Sequence, residues 1–450
     1  MTTTPEHAPH AHPSTAAGGA LRFVGPDIPS ADDLSNCIHC GFCLPTCPTY
    51  VATGQELESP RGRLHLIAAV RDGRIEATDR TLAHFDRCLQ CRACETACPS
   101  SVPYGRIMED ARASIMANAP ARQPLSWRLR AFALRHVVAR RQTLRFALDL
   151  GRIYSRSGLQ RLVRGPLRAL LPAKIARLES SIPLLTERPF RATGTLASPA
   201  ASSARVALLL GCMHGEMYPR MHEATVRVLS HAGCEVVAPP EQVCCGALHV
   251  HGGDAETARA LARRNIAAFE AAGVEAVIVN AAGCGAAMKE YDRLLRHDPH
   301  WAERAERFAH QVKDVLEFVA ERDFAHDLGP VEETVTLQEA CHLAHAQKIR
   351  EAPRRILRAI PGLRIEELRT PDRCCGSAGI YSFVQPDLSA AVLDAKMADI
   401  ARTGADVICT ANPGCTLQLQ AGVVRTGLHA EVRHVIEVLD QSVRAGATAR

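Results

Sequence analysis

Thiols carry the clearest chemistry in this chain, and most of them stand at repeated spacings. Cys37, Cys40, Cys43 and Cys47 form a C-x2-C-x2-C-x3-C-P run, and Cys88, Cys91, Cys94 and Cys98 form a second. Three cysteines this close together wrap three corners of a small iron–sulfur cube. The fourth, just before proline, is turned away and ligates the other cube in two-cluster proteins. On that rule one [4Fe–4S] cluster takes Cys37, Cys40, Cys43 and Cys98. The other takes Cys88, Cys91, Cys94 and Cys47. Structural zinc is the competing occupant, but it prefers paired C-x2-4-C knuckles set well apart.

A second cysteine pattern lies further on. Cys212, Cys244, Cys245 and Cys284 align with Cys341, Cys374, Cys375 and Cys415 at offsets of 129, 130, 130 and 131. Each set is a candidate further site, for an iron–sulfur cluster or for zinc. Glycines beside them, Gly246, Gly283, Gly376 and Gly414, let backbone approach a metal closely. His214, His249, His342 and His345 lie near these cysteines and are secondary ligand candidates. Cys234 and Cys409 have no counterpart in the other copy and read as buried core cysteines.

These residues need elements to position them. Around the first pattern, Leu64, Ile67, Ala68 and Val70, then Leu82 and Phe85, recur at helical spacing. Ser59-Pro60 is a helix start. Residues 31–115 are therefore expected to form a largely helical two-cluster module of the ferredoxin type. Arg61, Arg63, Arg87 and Arg92 lie close to the cysteine runs, where they either favour a reduced cluster or sit on solvated helix faces. Within 206–450, short apolar runs alternate with helical stretches. The runs Val206–Leu210, Cys234–Ala238 and Ala276–Asn280 are matched by Val335–Leu337 and Val407–Cys409. Helices start at Gly253-Asp254 and Pro386-Asp387. Such alternation predicts parallel sheets with helices on their faces, and ligands beyond the strand C-termini.

The fold class expected is α+β, an α-helical 2×[4Fe–4S] domain followed by two pseudo-symmetric α/β cysteine-rich domains. The divisions are a disordered tail over 1–30 (with His7, His10 and His12), the cluster module over 31–115, a basic helical connector and linker over 116–205, and cysteine-rich domains over 206–330 and 331–450.

Charge sets the connector apart. The chain carries +5 overall, yet residues 121–178 hold thirteen Arg and one Lys against Asp149 alone. Leu125, Leu129, Phe132, Ala133, Val137 and Val138 mark one helical face there, with breaks expected near Gly151, Gly158 and Gly165-Pro166. Such a segment lies on an anionic membrane surface, meets an acidic partner, or packs on its own protein. No nucleic-acid recognition module accompanies it. The sequence shows no secretory signal and no apolar run long enough to span a bilayer. Clustered cysteines then point to a reducing compartment, the cytoplasm, with contact at the inner membrane face through the connector. There is no G-x-G-x-x-G after a strand, no P-loop and no H-E-x-x-H. The chain is expected to move electrons, leaving substrate bonds to another subunit.

Several segments resemble a known family. They are Cys37-Ile-His-Cys-Gly-Phe-Cys43, Ser59-Pro-Arg-Gly-Arg63, Gly283-Cys-Gly285, Lys289-Glu-Tyr291, His345-Ala-Gln-Lys348 and Cys374-Cys-Gly-Ser-Ala-Gly379. Together with the two cysteine patterns they resemble the iron–sulfur subunit of glycolate oxidase (glycolate dehydrogenase). The resemblance covers about residues 31–440, and the basic linker carries little of it. It implies an electron-transfer subunit of an oxidoreductase complex. An FAD-binding subunit would oxidise glycolate to glyoxylate, and a quinone-level membrane acceptor would take the electrons. Subunits of the heterodisulfide reductase, lactate-utilisation and glycerol-3-phosphate dehydrogenase types share most of these motifs. One departure matters: the heterodisulfide reductase pattern ends in C-x2-C, whereas Ala287 and Gln418 stand three residues beyond Cys284 and Cys415. A non-cubane cluster of that enzyme's kind is therefore in doubt.

Overall fold

The computed structural model describes residues 21–118, 123–172, 179, 184–200 and 202–448. Among them the chain builds a helical module, a helical connector and two small sheets. His7, His10 and His12 lie outside the described residues.

No strand occurs among the described residues of the cluster module. Its central helix, Pro60–Arg71, starts where proline and a capping serine allow: the Ser59 hydroxyl accepts from Gly62 N–H, and proline fills a first-turn position that needs no donor. Ile67 and Val70 meet Phe85, Ile107, Met108 and Ile115 in one apolar core. The described end of the region expected as a tail is packed. Leu21 is buried in that same core, and Ser114 and Asn118 donate to the carbonyls of Val24 and Arg22. A run with little to bury still orders when a neighbouring helix satisfies its backbone groups.

The two cysteine-rich halves repeat one topology. In the first, β1 (Gly194–Ala197), β2 (Ala204–Leu208), β3 (Cys234–Ala238), β4 (Ala276–Val279) and β5 (Val312–Asp314) lie in the order β1-β3-β2-β4-β5. In the second, β6 (Thr334–Leu337), β7 (Arg364–Ile365), β8 (Val407–Thr410) and β9 (Glu431–His434) lie in the order β7-β6-β8-β9. All pairings are parallel except β1 with β3. Strand β1 comes from the segment expected as linker. Strands β5 and β9 escaped notice because Val312-Lys-Asp314 and Glu431-Val-Arg-His434 carry few apolar residues. Both run straight into helices.

The helix Ala255–Ala271 buries Ala258, Leu261, Ala262, Ile266 and Phe269, the face read from its 3.6-residue period. Full burial of each large side chain contributes about 1.5–3 kcal/mol. One core runs through both halves, from Val206 and Val236 to Val407 and Leu439. Arg227 clamps Asp440 across the join at 2.7 and 2.8 Å. Cys234 and Cys409 are fully buried in this core.

The connector breaks at Gly158 and at Gly165-Pro166 as expected, but not at Gly151. Helix Leu125–Ala133 runs on through a wide turn at Leu134–Val138, the chain breaks at Ala139-Arg140, and a helix follows over Arg141–Arg156. Gly151 sits inside that helix, where a side chain would press on Leu185. The expected apolar face is divided: its Val138 packs on Val243 and Cys244. Trp127, Ala131 and Leu134 are the buried residues, while Leu125, Leu129 and Phe132 face solvent.

Candidate metal centres

The two ferredoxin-type runs fold back on each other. Cys37, Cys40, Cys43 and Cys98 line one cavity of about 420 Å³. Cys47, Cys88, Cys91 and Cys94 line a second of about 290 Å³. Each run thus sends its last cysteine to the other run's cavity. Cys94 also lines the first cavity, so the two share a wall. The loops bend this way through left-handed residues at matching places. His39 and Gln90 precede the second cysteine of each run, and Gly41 and Arg92 follow it, all with φ between 51° and 88°. For a non-glycine residue that conformation costs roughly 1–2 kcal/mol, a strain that sites tend to hold.

The donor set fits iron–sulfur clusters. Amide N–H groups point at sulfur, from Gln90 to Cys88 at 3.4 Å and from Val102 to Cys98 at 3.5 Å. The Tyr104 hydroxyl also donates to Cys88, at 3.5 Å. Donors of this kind favour the thiolate. Burial does the opposite: it raises the Cys43 thiol to about 11 and the Cys91 and Cys94 thiols well above their ordinary range. Such thiols become ligands when a cationic core compensates the charge.

The cations near these cavities are neutralised rather than free. Arg61 lines the first cavity and pairs with Glu56 at 2.6 Å. Arg63 is buried against the second and pairs with Glu58 at 2.7 Å. Arg87 and His84 share Glu58. Arg92 pairs with Glu95 and Glu290.

In the first cysteine-rich half, Cys244 and Cys245 follow β3 and Cys284 is the third residue of helix Ala282–Lys289. The sulfurs pair as Cys244 with Cys212 at 3.6 Å and Cys245 with Cys284 at 2.9 Å. The second half mirrors this, with Cys374 against Cys341 and Cys375 against Cys415. In both, the glycine amide turns back onto sulfur, from Gly246 to Cys244 at 3.5 Å and from Gly376 to Cys374 at 3.4 Å. Among the described residues, no three His, Cys, Asp or Glu side chains close on a single-ion position.

Two of the candidate histidines reach the cysteines and two do not: His249 hydrogen-bonds Cys244 and His342 lies beside Cys341. His345 contacts Thr96 and the Asp372 carbonyl, and His249 contacts the Leu134 carbonyl. His214 is buried and its pKa falls to about 3. His342 approaches Cys341 Sγ at 3.7 Å. Sequence reasoning missed two residues that hold the first loop. Asn265 donates to the Cys244 carbonyl at 3.0 Å, and the Tyr291 hydroxyl donates to the Cys245 carbonyl at 2.8 Å. Asn265, standing between Ala262 and Ile266 on the helix's buried face, was the available signal. Gln418, at one missing-cysteine position, instead donates to Ser389.

The four sulfur sets form a spatial series. Cys40 is exposed at the surface, beside exposed Ile38 and Phe42. Cys91, with Leu89 and Ala93, packs on Cys374, Tyr381 and Cys341 of the second half. Gly283, next to Cys284, donates its N–H to Asn412, which contacts Cys415. Cys212 and Cys244 come last, packed against Val138 and Ala139 of the connector.

Comparison with known proteins agrees along most of the chain. A 4Fe-4S dicluster domain matches residues 33–102, and a cysteine-rich domain matches 206–289 and 335–420. The linker region of the glycolate oxidase iron–sulfur subunit matches 128–182. A probable glycolate oxidase iron–sulfur subunit of Bacillus subtilis is 44% identical over 90% of this chain and 92% of its own. The glycolate oxidase iron–sulfur subunit of Escherichia coli is 35% identical over 91% and 94%. This chain belongs to the glycolate oxidase iron–sulfur subunit family. Lactate utilization protein A of Exiguobacterium is 31% identical over 53% of this chain and 98% of its own. Family membership corrects one expectation: the basic connector carries a specific part of the likeness.

Proposed function

We propose that this chain is the electron-transferring subunit of a complex that oxidises glycolate to glyoxylate. An FAD-binding subunit performs the substrate chemistry, and a quinone-level acceptor receives the electrons. The full-length likeness to glycolate oxidase iron–sulfur subunits, linker included, carries this reading. The partial match to a lactate utilization protein stops at about half the chain, so a 2-hydroxy acid other than glycolate is the less supported substrate.

Two [4Fe–4S] clusters would be held by Cys37, Cys40, Cys43 and Cys98 and by Cys88, Cys91, Cys94 and Cys47. Cys212, Cys244, Cys245 and Cys284, and Cys341, Cys374, Cys375 and Cys415, are proposed as further cluster or zinc sites. Bound there, such clusters supply one-electron steps at potentials set by their surroundings. The chain's own residues wrap the sulfurs, donate N–H groups to them and exclude water. Exposed Ile38 and Phe42 beside Cys40 suit a docked flavin subunit, with the Cys37 set at the entry end of the series.

No helix among the described residues is long and apolar enough to cross a membrane. Membrane contact is assigned to the connector. Phe146, Leu150 and Ile153 form an exposed stripe, with exposed Arg128, Arg140, Arg161 and Arg168 in the same segment. Apolar side chains with cationic neighbours suit anionic lipid.

The test is anaerobic purification with and without the flavin subunit. The chain alone should be brown, bleach with dithionite and leave glycolate unoxidised. Glycolate-driven dye reduction should need both subunits. About eight irons per chain would mean two cubes, and more would mean loaded cysteine-rich halves. Glycolate oxidation by the isolated chain, or a colourless zinc-loaded preparation, would overturn the reading.

A further inference from the structure

The two cysteine-rich halves differ at one buried position. Helices Ala255–Ala271 and Pro386–Ala401 each follow a Cys-Cys-Gly, and they start 131 residues apart, the offset of Cys284 and Cys415. Their buried faces agree in that register: Leu261 matches Val392, Ile266 matches Met397 and Phe269 matches Ile400. Asn265 then matches Lys396, and both are fully buried. A neutral amide in one half stands where the other half has an amine.

Both side chains hold the loop that carries the sulfurs. Asn265 donates to the Cys244 carbonyl at 3.0 Å and accepts from Val243 N–H at 2.8 Å. Lys396 Nζ donates to the carbonyls of Thr370 at 2.6 Å and Pro371 at 3.3 Å. The first half shows that a neutral group suffices for this task. The lysine adds a charge, in a place where burial disfavours one. Arg61, Arg63 and Arg92 bond carboxylates directly, whereas Lys396 bonds only carbonyls among the described residues. Burial lowers its pKa, and Cys375 opposes that first, ahead of Asp399, Cys374 and Asp372. Both Asp399 oxygens are engaged by donors of Arg369 and Thr370. The charge also stands in the half whose Cys374 and Cys341 pack with Cys91 of the cluster module.

We propose that Lys396 tunes the redox centre of the second cysteine-rich half: its buried positive charge stabilises the reduced form of an iron–sulfur cluster held by Cys341, Cys374, Cys375 and Cys415. The proposal rests on the reading of that set as a cluster site and adds the residue that sets its electron affinity. Reduction adds one electron and one negative charge to the cluster, and no bond forms or breaks at the lysine. A charge in surroundings of low polarity acts more strongly than the same charge in water. Lys396 works through its field and through the loop it holds, so it is a positioning residue.

The test is a dithionite titration of the full chain, purified anaerobically and followed by electron paramagnetic resonance. The second-half signal is the one that Cys374→Ser removes. Lys396→Met keeps the apolar stem and loses the charge, Lys396→Gln keeps a donor as the first half does, and Lys396→Arg keeps the charge. The Met and Gln variants should each weaken electron uptake at that cluster at least tenfold, a fall of about 59 mV for a one-electron couple. Lys396→Arg should leave its potential at the wild-type value, and the signals of the Cys37 and Cys88 sets should not move in any variant. A lysine that only held the loop would leave the potential unmoved in Lys396→Gln, and that result overturns the proposal. Loss of the cluster from both the Met and Gln variants also overturns it. Iron content of the unaltered chain separates the two readings. About eight irons per chain, with no signal removed by Cys374→Ser, refutes the cluster reading and the proposal with it. More iron with an unmoved potential refutes only the role of Lys396.

Discussion

Single residues around the sulfurs are under tight steric and electrostatic control. Gly376 has φ +87°, and an added Cβ would stand 2.6 Å from the Ser389 carbonyl oxygen. Gly54 also has positive φ (+66°) but has open space around it. Gly376→Ala is therefore expected to cost well over the roughly 1 kcal/mol of left-handed strain alone, and Gly54→Ala to cost about that strain. Urea denaturation of the two variants compares them. His222 reports differently. It is fully buried, bridges the Leu210 carbonyl and Asn280, and burial lowers its pKa to about 4. A depressed histidine contributes stability that is present above pH ~6.5 and lost as pH falls toward 4, by up to about 1.4 kcal/mol per pH unit. His222→Gln should flatten the fall in urea midpoint between pH 7 and pH 5. An unchanged slope would show that His222 already takes up a proton in the native state.

The connector is the element whose chemistry is least like the rest. It is pinned inward by side chains that leave little freedom: Trp127 and Arg130 reach Asp86, Arg135 clamps Asp254, and Arg152 binds Glu216. Phe146, Leu150 and Ile153 belong to none of the apolar cores of the described residues. Phe146→Ser, Leu150→Ser and Ile153→Ser together remove roughly 4–9 kcal/mol of transferable apolar burial at a lipid surface. Flotation with anionic vesicles should lose the triple variant by at least tenfold, with urea stability unchanged to within about 0.5 kcal/mol. A variant that still floats would place the lipid contact elsewhere.

At the scale of the whole molecule, charge holds the cluster module on the first cysteine-rich half. Arg293 binds both Glu109 and Asp110, His251 contacts Glu109 at 3.1 Å, and Arg92 reaches Glu290 at 2.5 Å. Burial pushes the Glu109 carboxyl up, but Arg293 and His251 together bring it down to about 2. Arg293→Met leaves that buried carboxylate with His251 and the more distant charge of Arg92, and breaking such a pair costs about 3–5 kcal/mol. Limited proteolysis of the connector should speed up in the variant. Its iron content per chain should hold, because no sulfur set is touched by Arg293.

Cysteine spacing by itself named the chemistry and its two repeats. A ligand set is encoded in local offsets, and the four-cysteine runs leave few other uses for eight thiols. Periodicity likewise gave the main helices and the apolar strands, because burial on one face imposes a period that sequence displays. What sequence could not show was which side of the connector is inside. Trp127, Ala131 and Leu134 and the stripe of Leu125, Leu129 and Phe132 are both apolar, and only a packed neighbour distinguishes them. Nor could offsets reveal that Cys91 abuts Cys374 or that Cys212 and Cys244 open onto Ala139 and Arg141. Those contacts join segments scores to hundreds of residues apart, and they exist only once the domains have docked.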